Sequence, residues 1–156
     1  MSLLLRRSLI FIILLLGGLV LYSLWFGMKA DRYDDTAIPY LESAMPRLTS
    51  WQYELLEPLL SPTAKLNFKN QEMREAYRLF NRLGQFESMD KPRYEKSYSG
   101  VSQALGDVEI VEYQASLEFD TGPAVVKIKL IADGKSYYIN HFGFHSEVFS
   151  EVNEID

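Results

Sequence analysis

The sequence predicts an α+β protein: an N-terminal transmembrane helix, then helices packed on a curved antiparallel sheet of three to four strands. Three observations carry this. An uncharged apolar run opens the chain, apolar residues then recur at helical spacing as far as Gly84, and beyond Gly84 the period changes from 3.6 to 2.

The first element is the apolar run Leu9–Phe26. Arg7 and Lys29 enclose 21 residues, which as a helix rise roughly 30 Å, the thickness of a bilayer's hydrocarbon core. Tyr22, Trp25 and Phe26 gather at one end, where amphipathic rings favour the headgroup boundary. The run exceeds the ~7–15 residues of a cleavable signal core, and Met28-Lys29-Ala30 makes a poor cleavage site, so an uncleaved anchor is expected. The chain has no cysteine, which excludes a lipidated cysteine, a disulfide, a thiol nucleophile and a zinc–cysteine site. Arg6 and Arg7 precede the span, whereas Lys29 and Arg32 follow it among Asp31, Asp34 and Asp35. The expectation is a single-pass inner-membrane protein with a cytoplasmic N-terminus and an extracytoplasmic C-terminal domain. Its organisation reads as tail and span 1–28, linker 29–35, domain 36–148 and acidic tail 149–156.

The domain is acidic. Residues 1–30 hold Arg6, Arg7 and Lys29 and no acid, so 13 of the 16 basic residues and all 21 acids lie beyond residue 30, a net of −8. Such a charge repels phosphate backbones, and no nucleic-acid partner is expected. The expected partners are the lipid bilayer, through residues 8–28, and a protein of the membrane or envelope.

Asp34-Asp35-Thr36 offers N-cap chemistry ahead of the stripe Ile38, Leu41, Ala44/Met45 and Leu48, with Pro39 in a first turn and Pro46 as a break. Thr49 and Gln52 resemble a capping box opening a second helix with Trp51, Leu55, Leu56 and Leu59, closed by Pro58 and Pro62. Asn70 caps a third helix, Gln71–Leu83, with Met73, Ala76, Tyr77, Phe80 and Leu83 on one face and Gly84 as its stop.

A first strand is expected within Phe86–Tyr98, interrupted near Pro92. Val111, Tyr113, Ala115, Leu117 and Phe119 then alternate with polar residues, and Val126, Ile128 and Leu130 alternate with Lys127 and Lys129. Asp133-Gly134 is a hairpin signal leading into Lys135–Phe142. A two-residue Asp-Gly turn pairs Leu130 with Tyr137, Ile128 with Ile139 and Val126 with His141. A turn at Thr121-Gly122 pairs Leu117 with Val126, Ala115 with Ile128 and Tyr113 with Leu130. Both hairpins then share one apolar face.

Helices followed by a curved antiparallel sheet ending in Lys135-Ser136-Tyr137-Tyr138-Ile139-Asn140-His141-Phe142-Gly143-Phe144-His145-Ser146 resemble the nuclear-transport-factor-2-like and cystatin-like superfamily, over roughly Asp35–Ser146. The segment Ala115–Ser146, an alternating strand, a small turn, Ala124–Gly134 and then an aromatic strand, adds a likeness to small membrane-anchored extracytoplasmic members of unknown function. Tyr137 or Tyr138 stands where such members often carry tryptophan. The resemblance implies a concave pocket or groove between sheet and helices, and no particular activity. The bitopic inner-membrane subunit of type IV secretion systems similarly joins a span to such a domain, although no motif here marks membership.

His141 and His145, the only histidines, stand about 13 Å apart on a strand at ~3.3 Å per residue, too far to share a metal; no metal site and no cofactor is expected. The register above places His141 on the apolar face with Tyr113 and Tyr137, as a pocket base with two hydrogen-bond donors. The plainer reading is a rim histidine satisfied by backbone or a tyrosine hydroxyl. No acyl-transfer or phosphate motif is present, and Glu109, Glu112, Glu118 and Asp120 fall mostly on the polar strand face. Arg74, Arg78 and Arg82 form an i, i+4, i+8 row, ordinarily a solvated face, here a local positive strip for an acidic partner or anionic headgroups. The leading expectation is a non-enzymatic, membrane-tethered binding or assembly module of an envelope complex. The alternative is a small-molecule binder or pocket enzyme of isomerase or lyase type centred on His141.

Overall fold

The computed structural model describes residues 3–134 and 136–149, with the side chains of 3–9, 25, 26 and 29 left aside. The chain divides into two compact units, residues 1–33 and 34–156.

Helix α1, Leu3–Leu48, supplies the whole described part of the first unit. The side chains of Ile10–Leu16 are between 50% and 69% exposed, and Leu19, Val20, Leu21 and Leu24 are comparably open. The expected transmembrane helix is corrected here: among the described residues, no helix is long and apolar enough to cross a membrane. The expected flanks Arg6, Arg7, Trp25, Phe26 and Lys29 lie outside the described side chains. The expected orientation rests on that span. Residues 29–35, read as a linker, are helical.

Within the second unit, α1 continues through Pro39 and Pro46 rather than starting at Thr36 and breaking at Pro46. Both prolines sit on the exposed side, as do Asp35 and Glu42 four residues earlier, so the carbonyls that lose an N–H partner face water. The opposite stripe is the expected one. Ile38, Leu41, Ala44, Met45 and Leu48 are all no more than 9% exposed, and each fully buried leucine contributes about 1.5–3 kcal/mol.

Thr49 does not open a capping box; its hydroxyl donates to Met45 O (2.8 Å), closing α1. The expected second helix is short, α2 at Tyr53–Leu56 followed by a 3-10 turn at Glu57–Leu59. Pro62 was expected as a stop and instead occupies the first turn of α3, Pro62–Asn67. Ser61 is its N-cap, accepting from Ala64 N at 3.1 Å, an arrangement proline's fixed φ favours. Asn70 caps α4 as expected, its Oδ1 accepting from Glu72 N (3.0 Å). Helix α4 is Gln71–Leu79, and a 3-10 turn, Phe80–Leu83, carries the chain to Gly84 at φ 77°.

Five antiparallel strands follow, where three to four were expected: β1 Phe86–Met89, β2 Arg93–Ser102, β3 Gly106–Phe119, β4 Gly122–Asp133 and β5 Ser136–His145. The extra strand comes from the expected interruption at Pro92, since β1 and β2 both pair with β3 at different positions along it. The sheet order is β1-β3-β4-β5, with β2 beside β3.

The register differs from the expected one twice. Ala115 pairs with Val126 and Tyr113 with Ile128. This is a shift of two, which leaves the shared apolar face intact. At the other hairpin Leu130 pairs with Ile139, again two away, but Lys129 then pairs with His141. Asn140 is the extra residue of a bulge. A one-residue bulge exchanges faces, so inward positions change from odd (Tyr137, Ile139) to even (Phe142, Phe144). Val126 therefore faces Phe144, not His141.

Candidate functional site

The expected pocket trio does not converge. His141 is exposed beside Lys129, on the sheet face turned away from the helices. Tyr113 and Tyr137 are 1% and 5% exposed and face inward. The Tyr113 hydroxyl donates to Asp34 Oδ1 (2.7 Å), and Tyr137 OH lies 2.7 Å from Thr36 Oγ1. Burial, then the Asp34 hydrogen bond and charge, push Tyr113 ionisation far above its ordinary range. Both tyrosines therefore fasten α1 to the sheet.

The Asn140 bulge builds a different site. Asn140 Oδ1 accepts from Ser61 Oγ (2.8 Å), and Ser61 N donates to Ile139 O (2.9 Å). These two bonds pin the start of α3 to β5. With the parity changed, Phe142 enters a cluster of rings, its centroid 6.2 Å from Phe68, 6.0 Å from Tyr77 and 6.5 Å from Phe80. The Tyr77 hydroxyl donates to Leu48 O (2.8 Å), and burial raises its pKa to about 12 against the opposing hydrogen bonds of Ser50 and Trp51.

The result is a groove of about 150 Å³ between α3, α4 and β5. Phe68, Tyr77, Phe80 and Phe142 form its aromatic part, Met73 and Ala76 its open side, and Asn67, Asn140 and His141 its polar edge. Met73 and Ala76 are exposed, not packed as the helix stripe predicts; within α4 only Tyr77 is buried. Leu66 and Leu79 nearby are 55% and 62% exposed. The volume is below the ~300–1,000 Å³ of small-molecule sites, so the groove suits one or two apolar side chains.

The expected arginine row is divided. Arg74 Nε donates to Phe68 O (2.7 Å), at the end of α3, and its guanidinium lies 4.9 Å over the Tyr53 ring. Arg78 shares with Arg74 a second depression lined by Trp51, Tyr53 and Tyr77. Arg82 falls in the 3-10 turn, whose tighter winding takes it off the row. Trp51 was placed on a helix face and instead has φ 59°. Its Nε1 donates to Gly84 O (2.9 Å), and Tyr77, Phe80, Phe119 and Phe144 surround its ring. Such contacts over-determine a backbone conformation costing about 1–3 kcal/mol.

The groove residues missed from the sequence are Met73, Ala76 and Phe142. The alternation Phe142-Gly143-Phe144 is a signal for Phe142, because it is out of phase with Tyr137 and Ile139. No family model matches this chain, and neither the curated proteins nor the solved structures contain a significant match.

Proposed function

We propose that the chain is a non-enzymatic binding or assembly module of the cell envelope that grips an apolar segment of a partner protein in the groove between α3, α4 and β5. The observation that carries this reading is the open apolar groove, with Met73 and Ala76 exposed at its side and Arg74 and Arg78 beside it. Exposed apolar surface beside charged residues is characteristic of interaction sites. The arginines favour a partner segment with acidic residues next to its apolar ones.

The second part of the proposal is attachment to a lipid bilayer through the apolar part of α1, with no crossing implied. Its support is the exposed apolar surface from Ile10 to Leu24, since a helix apolar on every side is stable only when that surface is covered. The fold is read as nuclear-transport-factor-2-like or cystatin-like, supported by a helix laid against one face of an antiparallel meander.

The test is mild detergent extraction of the tagged full chain from its native envelope, with mass spectrometry of what accompanies it, repeated for Ala76→Arg. Ala76 is exposed, so arginine fills the groove mouth without disturbing the core. A partner recovered with the wild type and depleted about tenfold by Ala76→Arg is the expected result. Recovery of the chain alone, or equal recovery with the variant, overturns the reading.

A further inference from the structure

The bulge that turns Phe142 inward also builds a second concavity on the opposite face. Beyond Asn140, His141 stands opposite Lys129, Gly143 opposite Lys127 and His145 opposite Val125. On the other flank Glu112 pairs with Lys129, Gln114 with Lys127, and Lys96 with Glu112. A Cβ built on Gly143 meets no atom within 4 Å. The missing side chain leaves a gap between the two imidazoles, and the cleft there measures about 430 Å³.

Its charge runs against the rest of the domain. Glu112 is held by Lys129 (3.2 Å) and Lys96 (3.7 Å) and accepts from the Tyr98 hydroxyl (3.0 Å). Glu95 pairs with Arg93 at 2.9 Å. Lys127 has no ion-pair partner among the described residues, and it is exposed. Three lysines and Arg93 therefore meet two carboxylates, Glu95 and Glu112, an excess of two positive charges, in a region whose formal net is −8. Both histidines of the chain line the same cleft and add imidazole N–H donors.

We propose that this cleft binds a small soluble multivalent oxyanion, seated over Gly143 between Lys127, His141 and His145, with Lys129 at its edge. Lysines at alternate positions of one strand stand about 7 Å apart, a spacing that suits an anion with two charged groups. A long polyanion would have to continue over the acidic remainder of the surface, which opposes it. The recessed glycine floor fits a compact ion better than the flat plane of a bilayer surface. The site goes beyond the partner-binding role proposed above and does not depend on it. His141 also borders the groove, so the test uses Lys127 and Gly143, which do not.

Because the chain has two histidines and both line the cleft, their imidazole Cε1–H resonances report on it, and His145, which does not border the groove, separates the two sites. The full chain in a nonionic detergent is titrated with pyrophosphate, against sodium chloride at matched ionic strength. Saturable shifts of both resonances are expected, weakened about tenfold or more by Lys127→Gln and by Gly143→Val, with circular dichroism and melting unchanged. Valine suits a strand, and its Cβ meets no atom within 4 Å here. If Gly143→Val does not fold, the exposed Lys127→Gln decides alone. Shifts reproduced by chloride, shifts of one imidazole only, or full affinity in Lys127→Gln overturn the proposal. So does binding to anionic vesicles that pyrophosphate does not compete away.

Discussion

Replacing Gly84 by alanine tests how the turn between helices and sheet is held. Gly84 adopts φ 77° and ψ −146°, a region open in practice to glycine alone. Forcing alanine into it costs about 1–3 kcal/mol. A Cβ there would also run into Asp120 Oδ1, with Asp120 Cγ at 2.9 Å and Thr121 Cγ2 at 3.0 Å. That oxygen accepts the Gln85 N–H at 2.7 Å, so moving it loses a hydrogen bond worth about 1 kcal/mol. The predicted loss is therefore about 2–4 kcal/mol, out of a total stability of roughly 5–15 kcal/mol. Urea unfolding of the full chain in nonionic micelles, followed by fluorescence, measures it. Trp51 donates to Gly84 O, so its emission reports on the same turn. In an Asp120→Ala background the hydrogen bond and the collision with the carboxylate are already gone, and Gly84→Ala should cost about 1 kcal/mol less. A loss below about 0.5 kcal/mol, or equal losses in the two backgrounds, refutes the reasoning.

Three further predictions follow from the same contacts. Ser61→Ala removes the α3 N-cap and the bond to Asn140, and should cost about 1–2 kcal/mol by urea unfolding, more than an exposed serine would. Two tyrosines should behave oppositely. Tyr113→Phe loses the Asp34 bond and about 1 kcal/mol, whereas Tyr40→Phe removes a buried hydroxyl without a hydrogen-bond partner among the described residues and should be neutral or stabilising in thermal melts. Glu112 gives a pH signature. Burial alone would raise its pKa, but hydrogen bonds from Lys129 and Tyr98 and the charges of Lys129 and Lys96 lower it below its ordinary 4.5. A folded pKa below the unfolded one stabilises the native state above the unfolded value, and this contribution disappears as pH falls through the folded value. The stability gap between wild type and Glu112→Gln should hold constant at neutral pH and close only in acid; a gap independent of pH contradicts the network.

Much of the architecture is readable where periodicity runs long. The stripe from Ile38 to Leu48, the Asn70 cap, the Gly84 stop and the inward alternation of β3 and β4 all stand as the pattern implies. These features repeat, and a register error of two residues leaves their faces unchanged. Single-residue events are not readable in this way. The bulge at Asn140 carries no distinctive residue, yet it reverses the faces of everything after it and moves His141 out of the core. Pro62 is ambiguous because proline both ends a helix and begins one, and only the Ser61 contacts decide. Prolines 39 and 46 mislead because a helix already held by core burial tolerates a lost hydrogen bond on its wet side. In the N-terminal run, hydropathy marks which side chains are apolar, while among the described residues no helix is both long and apolar enough to cross a membrane.

The two margins of the sheet restrict how copies of this protein can meet. An open strand edge is a template for pairing with another backbone. On one side the margin is split into β1 and β2, with Asp90, Lys91 and Pro92 between them and exposed Arg93, Glu95 and Lys96 just beyond. On the other, Leu60 bridges to Ile139 in parallel and Ser61 N occupies its carbonyl, so the middle of β5 is already spoken for. The middle of β5 is covered, whereas Lys96–Ser102 of β2 pairs only with β3 and keeps its outer side open among the described residues. Pairing through β5 is thereby discouraged, and at the start of β2 the exposed Arg93, Glu95 and Lys96 oppose it, which leaves the far half of β2 as the edge another backbone can reach.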